Sequence, residues 1–146
     1  MSSVIRPIVL CLFSRDQRIL INEAQDTARQ LSYCRPLGGG IEFGENSVDA
    51  LVREIREELN AEAVNLRLLG TLENIFVNNG VPGHEIVLIY DGEFADASLY
   101  EQPWLPGVES NGVAFQAQWR SLDDFSAELP LYPVGLAALL RSTNRT

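Results

Sequence analysis

The stretch GGIEFGENSVDALVREIREELNA, residues 39–61, decides the fold of this chain. It opens with glycines, which let the backbone approach a ligand closely, and then adopts helical periodicity. Asn46 or Ser47 can cap a helix there. Asn60 follows Leu59, and Asn commonly replaces Gly where a helix ends in a left-handed conformation. We therefore expect a helix that starts near Ser47 and runs to about Leu59.

The predicted helix carries an apolar face and an acidic face. Glu54, Glu57 and Glu58 stand at positions i, i+3 and i+4, so their carboxylates share one side. Like charges at this spacing destabilise a bare helix and raise one another's pKa unless a cation lies among them. Oxygen ligands suit Mg²⁺ or Mn²⁺ better than zinc. The apolar face is expected to comprise Val48, Val52, Ile55 and Leu59.

A solvated helix face, with Arg53 paired to Glu57, is the alternative interpretation of these carboxylates. The glycine turn that precedes the helix favours a ligand site, because such a turn offers carbonyls to cations and amides to phosphates. A divalent-metal site is therefore our interpretation of this segment.

The segment resembles the Nudix box, a pattern of Gly, five residues, Glu, seven residues, Arg-Glu, an aliphatic residue, one residue, Glu-Glu, one residue, Gly and an aliphatic residue. Only the last two places depart from the pattern, and neither is a presumed metal ligand. Asn60 can adopt the left-handed conformation of the missing glycine, and Ala61 is a small apolar substitute. The matching residues are Gly39, Glu45, Arg53, Glu54, Ile55, Glu57 and Glu58.

The resemblance implies a Nudix fold of the α+β class, in which a mixed β-sheet is sandwiched between α-helices. It also implies a pyrophosphohydrolase that uses one to three Mg²⁺ ions, with Mn²⁺ as a possible substitute. Residues 1–146 are expected to form a single domain of this kind. Metal ligands implied by the resemblance are Glu57, Glu58, the carbonyl of Gly39, and Glu54 as a ligand or near neighbour.

Other roles follow from the same resemblance. Arg53 belongs to the catalytic set together with the three helix carboxylates, and we expect it and Glu45 to hold the loop and those carboxylates in place. Gly40 is expected to contact substrate. His84 and Glu85 resemble a Gly-His-Glu-Ile stretch of some members that act on nucleotide sugars or ADP-ribose, so either could contact the diphosphate; a hydrogen-bonding His at a strand start is the alternative.

The general base is not fixed by the pattern. Glu85, Glu101 and Glu109 are all candidates. Sequence alone does not rank them.

The rest of the chain predicts a hairpin and further strands. Ile5–Phe13 and residues 18–23 flank a turn at Ser14–Gln17, and residues 24–32 lack a clear period. Gly38–Gly40 is expected to end any regular element. Further strands are expected at residues 63–69, 72–77, 85–94 and 113–119, with a loop at 103–112, a closing helix at 131–140 and a frayed tail at 141–146.

Composition limits the partners. The formal net charge of −9 argues against a surface that follows DNA or RNA phosphates, so we expect a small-molecule nucleotide substrate and no nucleic acid or membrane partner. The N-terminal apolar run is too short for a signal or a membrane span, which favours a cytoplasmic protein. Cys11 and Cys34 lack zinc or disulfide-scaffold spacing and are expected to be buried thiols. A homodimer is possible.

The leading functional hypothesis is cleavage of the diphosphate bond in a nucleoside diphosphate derivative of the ADP-ribose or nucleotide-sugar type. A nucleoside triphosphate pyrophosphatase that removes normal or oxidised dNTPs is the alternative enzyme. A non-catalytic nucleotide-binding module is a third hypothesis, although such modules usually lose box carboxylates. An enzyme acting on RNA caps is disfavoured by the charge and the chain length.

Overall fold

The structure is a computed structural model and describes residues 3–142. Within these residues lie eight strands and two α-helices, together with short 3-10 helices at Ala97–Glu101 and Leu122–Asp124. In chain order the elements are β1 (Arg6–Arg15), β2 (Arg18–Asp26), β3 (Leu31–Arg35), β4 (Leu37–Gly40), α1 (Ser47–Leu59), β5 (Ala63–Asn78), β6 (Val81–Phe94), β7 (Trp104–Val108), β8 (Ala114–Ser121) and α2 (Leu136–Ser142).

The predicted N-terminal hairpin is confirmed. β1 and β2 pair antiparallel, with Arg15 opposite Arg18. Asp16 and Gln17 form the turn and both have positive φ, 52° and 64°. Two consecutive residues of positive φ match the twist of the flanking strands, which is why such turns join hairpins.

The strands form one mixed sheet in the order β5-β6-β1-β2-β8-β7, with β3 paired to β2 and β4 paired to β1. β1 and β6 run parallel, from Arg6 opposite Glu85 to Phe13 opposite Gly92. The residues of β1 from Ile8 to Phe13 are at most 3% exposed, because the strand is covered on both faces. The centre of the sheet is therefore β1.

One helix covers each face of this central strand. Leu51 and Ile55 of α1 pack in the cluster that contains Val9, while Leu136 and Leu140 of α2 pack in the cluster on the other face. A mixed sheet between helices is the architecture that the sequence predicted, and that prediction is confirmed. Both cysteines are buried, as expected.

The boundaries of α1 agree with the prediction. The helix ends where Asn60 turns left-handed, at φ 53° and ψ 43°, and the Asn60 N–H donates to the Arg56 carbonyl at 3.0 Å. Asn46 occupies the cap position, but its side chain makes no capping hydrogen bond. Val48, which we expected on the apolar face of the helix, is 41% exposed. It lies at the edge of a buried stripe that is centred on Leu51 and Ile55.

The glycine run does not end regular structure, and that prediction is wrong. Gly38, Gly39 and Gly40 form most of β4 and pair with β1, which supplies partners for their backbone groups. Gly38 has φ +150°, and a Cβ on it would lie 2.0 Å from the Val9 carbonyl oxygen. The close approach of the two strands thus requires glycine at this position.

Other boundaries also differ from the prediction. β2 and β3 occupy most of the segment at 24–32, and β5 is one strand of 16 residues in which bulges absorb the expected interruption near Gly70. β7 lies inside the expected loop because it pairs with β8. α2 begins at Leu136, after Gly135 at φ +96°, and it includes Arg141. The predicted frayed tail beyond Ser142 lies outside the described residues.

Candidate active site

The glycine-rich strand β4 and the helix α1 lie next to each other and together form the first part of the candidate site. A Cβ on Gly39 would lie 2.2 Å from Oε2 of Glu54, far inside any allowed contact. Only glycine therefore lets the Glu54 carboxylate rest against the backbone of β4. The sequence placed these two residues in one site, and the structure brings them into contact.

Arg53 joins the loop to the helix. Its Nε and Nη2 donate to the two carboxylate oxygens of Glu45 at 2.7 and 2.9 Å, and Nη2 also donates to the Gly40 carbonyl at 3.0 Å. Its Nη1 donates to Glu54 at 2.9 Å and to Glu57 at 3.3 Å. A fork of planar donors suits this geometry better than a Lys ammonium would.

The Arg53–Glu45 pair is a strong electrostatic anchor. Hydrogen bonds from Arg53 hold the pKa of Glu45 down at about 2, with help from the backbone hydrogen bond at Glu42. The Glu45 and Glu54 carboxylates in turn raise the pKa of Arg53, and the hydrogen bond to Glu45 contributes most. Both groups therefore stay charged at neutral pH, and the loop that carries Glu45 is fixed to the start of the acidic face.

Glu58 lies in a different environment from its neighbours. It accepts a hydrogen bond from the Gly38 N–H at 3.3 Å. Burial raises the pKa of Glu58 to about 8, and the negative charges of Glu54, Glu109 and Glu57 add to that rise. A carboxyl that is kept neutral by burial and by like charges would ionise readily beside a cation.

The residues present fit a hard divalent cation. They offer carboxylate and carbonyl oxygens, which are the donors that Mg²⁺ prefers. Within residues 3–142 no group of three or more Asp, Glu, His or Cys side chains is already gathered as a metal site. In this structure Arg53 pairs with the Glu54 and Glu57 carboxylates, at 2.9 and 3.3 Å. A cation would share these carboxylates with that guanidinium.

The three candidate bases lie in different places. Glu109 follows β7, which packs against α1, and its charge acts on Glu58. Glu101 is held by Arg15 through an ion pair of 2.6 Å between Nη2 and Oε1. Glu85 is only 3% exposed and is bound by Arg35. Glu109 is thus the candidate that the structure associates with the acidic face of α1.

A cleft of about 380 Å³ lies between β3, β5 and the segment before α2. That volume is within the range of small-molecule pockets, about 300–1,000 Å³. Tyr33 and Tyr132 lie in its wall with ring centroids 5.2 Å apart. The other lining residues are Arg6, Arg29, Arg35, Asn74, Ile75, Phe76, Val77, Asn78, Glu85 and Val134.

A buried carboxylate, that of Asp26, connects two turns at one end of the cleft. Asp26 accepts hydrogen bonds from the Asn79 N–H at 3.1 Å and from Arg29 Nε at 2.7 Å. Asn79 in turn accepts from the Thr27 N–H and hydroxyl. These bonds tie the turn after β2 to the turn after β5, and so fix the two walls relative to each other.

Of the two predicted substrate residues in β6, only Glu85 lines this cleft. His84 comes directly before it and lines an adjoining groove with Val81 and Pro82. Arg6, Phe76 and Glu85 line both this groove and the cleft.

Sequence reasoning missed most of the cleft. Arg6, Arg35 and Asn74 come from three separate strands, and no local motif marks them. All 11 cationic residues of the chain are arginines, and three of them line this one cleft. That clustering becomes visible only once the strands are paired.

Comparison with known proteins gives matches over most of the chain. A family model described as the NUDIX domain matches residues 4–140. NAD-capped RNA hydrolase NudC of Pseudomonas putida is 30% identical over 131 residues, which cover 90% of this chain and 40% of the relative. NudC of Mycobacterium tuberculosis is 28% identical over 130 residues, covering 86% and 41%. The chain thus spans about two-fifths of the length of these relatives.

Solved structures show the same fold. A MutT NUDIX hydrolase from Burkholderia pseudomallei superimposes with a TM-score of 0.65 at 24% identity, over 94% of this chain and 97% of that one. An ADP-ribose pyrophosphatase from Streptococcus suis superimposes with a TM-score of 0.59 at 16% identity, over 98% and 94%. At these identities the likeness concerns the fold alone.

Proposed function

Because this chain belongs to the Nudix hydrolase family, we propose that it is a Mg²⁺-dependent pyrophosphohydrolase that cleaves the diphosphate bond of a nucleoside diphosphate derivative. ADP-ribose and nucleotide sugars are the proposed substrate type. The observation that carries this proposal is the packing of Glu54 against Gly39, with Arg53 joining both Glu54 and Glu57 to the loop.

The proposed ligands of Mg²⁺ are Glu54, Glu57, Glu58 and the Gly39 carbonyl, and Mn²⁺ fits the same donors. Bound there, the ion would neutralise diphosphate charge and make a water molecule more acidic. Arg53 holds two of the carboxylates in place through its fork of donors. Glu45 and the Gly40 carbonyl fix that fork, so the acidic face of α1 and the end of β4 keep one spacing.

Proton removal from the attacking water is assigned to Glu109 in this proposal. Of the three candidate bases, it is the one whose charge acts on Glu58. Glu101 is occupied by Arg15, and Glu85 is buried beneath the cleft.

The cleft supports a nucleotide as the substrate. Its tyrosines offer ring faces for a base, and Asn74 and Asn78 offer amide groups for hydrogen bonds to a base edge. Three arginines bring positive charge into a chain whose net charge is −9. A planar, hydrogen-bonding ring joined to phosphate satisfies all three features.

The relatives named NAD-capped RNA hydrolase bear on the disfavoured RNA-cap hypothesis. Their name identifies a capped RNA as the substrate of those longer proteins. The charge of −9 favours a small molecule for this chain, so we retain a free nucleotide as the proposed partner. Nucleoside triphosphates are the alternative substrate, and a non-catalytic nucleotide-binding module is the alternative function.

Three other expectations remain proposals: one domain over residues 1–146, a homodimer, and a cytoplasmic location. Across residues 3–142, no helix has both the length and the apolar character needed to span a membrane.

The test is a substrate panel with a matched pair of variants. ADP-ribose, nucleotide sugars, NAD, an NAD-capped oligonucleotide and nucleoside triphosphates are incubated with Mg²⁺, and phosphate products are measured. Glu57→Gln is expected to abolish turnover. Glu62→Gln, an exposed residue just beyond α1 that pairs with Arg56, is the control and is expected to retain turnover. Metal-dependent binding without turnover of any compound would favour the module instead.

A further inference from the structure

Glu85 is a buried carboxylate that pairs with arginine side chains. Its side chain is 4% exposed. Oε1 accepts from Arg35 Nη2 at 2.9 Å and from Asn74 Nδ2 at 3.3 Å. Oε2 lies 4.0 Å from Arg6 Nη1. An ion buried this deeply is tolerated only when it is paired and hydrogen-bonded, so these partners account for its presence.

This environment is unsuitable for a general base. A base needs an accessible lone pair within hydrogen-bond reach of the proton that it removes. One oxygen of Glu85 already accepts two hydrogen bonds, and the other faces a guanidinium. Any effect of Glu85 on the reaction must therefore pass through the groups that it holds.

Those groups connect the cleft to the end of β4. Arg6 is 60% exposed, and its Nη2 lies 3.5 Å from the point that a Cβ on Gly40 would occupy. The Gly40 carbonyl accepts a hydrogen bond from Arg53, which holds Glu54. Arg6 therefore stands between the cleft and the metal-binding side of the site.

We propose that Glu85 is a positioning residue that sets affinity for the nucleoside monophosphate half of the substrate. It holds Arg35 at the floor of the cleft and Arg6 at its edge, where their remaining N–H donors bind the phosphate nearest the nucleoside. The base occupies the cleft beside Tyr33. This inference rests on the proposed function, since it assumes that the cleft and the acidic face serve one substrate.

Binding of AMP in the absence of metal tests the inference directly. Isothermal titration compares the wild-type chain with Glu85→Gln, Arg6→Gln and the control Arg67→Gln, an exposed arginine on β5 outside the cleft. Loss of charge-assisted hydrogen bonding is expected to weaken AMP binding about tenfold in the first two variants. The control is expected to bind like wild type. Equal AMP affinity in all four proteins would overturn the inference.

Ligand fragments separate base recognition from phosphate recognition. Adenosine and ribose 5-phosphate are each expected to bind wild type more weakly than AMP, because each lacks one half of the recognised group. Glu85→Gln is expected to change adenosine affinity less than AMP affinity. The opposite pattern would show that Glu85 acts on the base and not on the phosphate.

Steady-state kinetics distinguish positioning from catalysis and from folding. For Glu85→Gln we expect KM for the hydrolysed substrate to rise about tenfold, while kcat stays within about twofold and keeps its pH profile. A hundredfold fall in kcat with loss of one limb of that profile would identify a base and overturn the inference. Arg6→Gln changes an exposed side chain and tests the same inference, so the test remains available if Glu85→Gln misfolds.

The failure of this inference and the failure of the proposed function give different results. AMP titration requires no turnover, and Arg67→Gln remains its control. If no compound in the panel is hydrolysed but AMP binding still depends on Glu85 and Arg6, the positioning role of Glu85 is supported and the proposed hydrolase activity is refuted. If hydrolysis is found but AMP does not bind, the positioning role of Glu85 is refuted and the proposed hydrolase activity is supported.

Discussion

Replacing Gly39 with alanine is expected to disable the site while leaving the fold intact. The added Cβ would lie 2.2 Å from Oε2 and 2.5 Å from Cδ of Glu54. The carboxylate must then retreat by about 1 Å, a misplacement that can cost about a hundredfold in rate. Glu54 is the end of a flexible side chain, so the backbone of β4 need not move.

The assay measures kcat/KM, the Mg²⁺ concentration for half activation, and Tm. For Gly39→Ala we expect kcat/KM to fall about a hundredfold and more Mg²⁺ to be needed, with Tm lowered by less than about 4 °C. Gly40→Ala is the neighbouring comparison, because a Cβ there meets only Arg6 Nη2 at an ordinary 3.5 Å. Its effect on kcat/KM is expected to be much smaller. Equal losses in the two variants would refute this account of the Gly39–Glu54 contact.

Four further predictions concern the fold and the site. Leu51→Ala, at a fully buried position in α1, is expected to lower the free energy of unfolding by about 2–5 kcal/mol in urea titrations, and a loss well below that range would contradict the packing described. Asn60→Ala is expected to cost about 1 kcal/mol because φ is 53°, whereas Asn60→Gly should cost none, and the same titrations compare them. The hydrogen bond from Arg29 lowers the pKa of Asp26 below its ordinary 3.8, although burial acts in the opposite direction. The folded chain therefore binds a proton at Asp26 less readily than the unfolded chain does. The resulting stabilisation is present above pH 3.8 and is lost as pH falls through the lowered pKa. Unfolding titrations at several acidic pH values should therefore show a shallower loss for Asp26→Asn, and parallel curves would count against this role. Glu109→Gln is expected to lower kcat at least about a hundredfold with little change in KM, and an unchanged kcat would remove Glu109 as the base.

The helix α1 and its termini could be predicted because their signals are local. Asn60 ends the helix within one turn of Arg56, and the positions of Glu54 and Glu57 on one face follow from helical spacing alone. The same is true of the hairpin turn at residues 16–17. In each case the residues that decide the structure are neighbours in the chain.

The features that escaped prediction depend on distant partners. β4 and β7 are strands because β1 and β8 pair with them, and neither has a period of its own. The cleft was missed for the same reason, since Arg35, Asn74 and Glu85 meet only after the sheet has formed.

Within the acidic face, helical spacing did not reveal that Arg53 would draw Glu54 and Glu57 to itself. It also did not separate the half-buried Glu58 from the exposed Glu57. Those differences depend on how β4 and β7 pack against the helix.

The most direct test of the central claim is ³¹P NMR of ADP-ribose with the wild-type chain and Glu57→Gln, each with and without Mg²⁺. We predict that the diphosphate signals of ADP-ribose are replaced by two phosphomonoester signals only with the wild-type chain and Mg²⁺. Conversion by Glu57→Gln at the wild-type rate, or conversion that is independent of Mg²⁺, would contradict the assignment of the acidic face of α1 as the metal-dependent catalytic site.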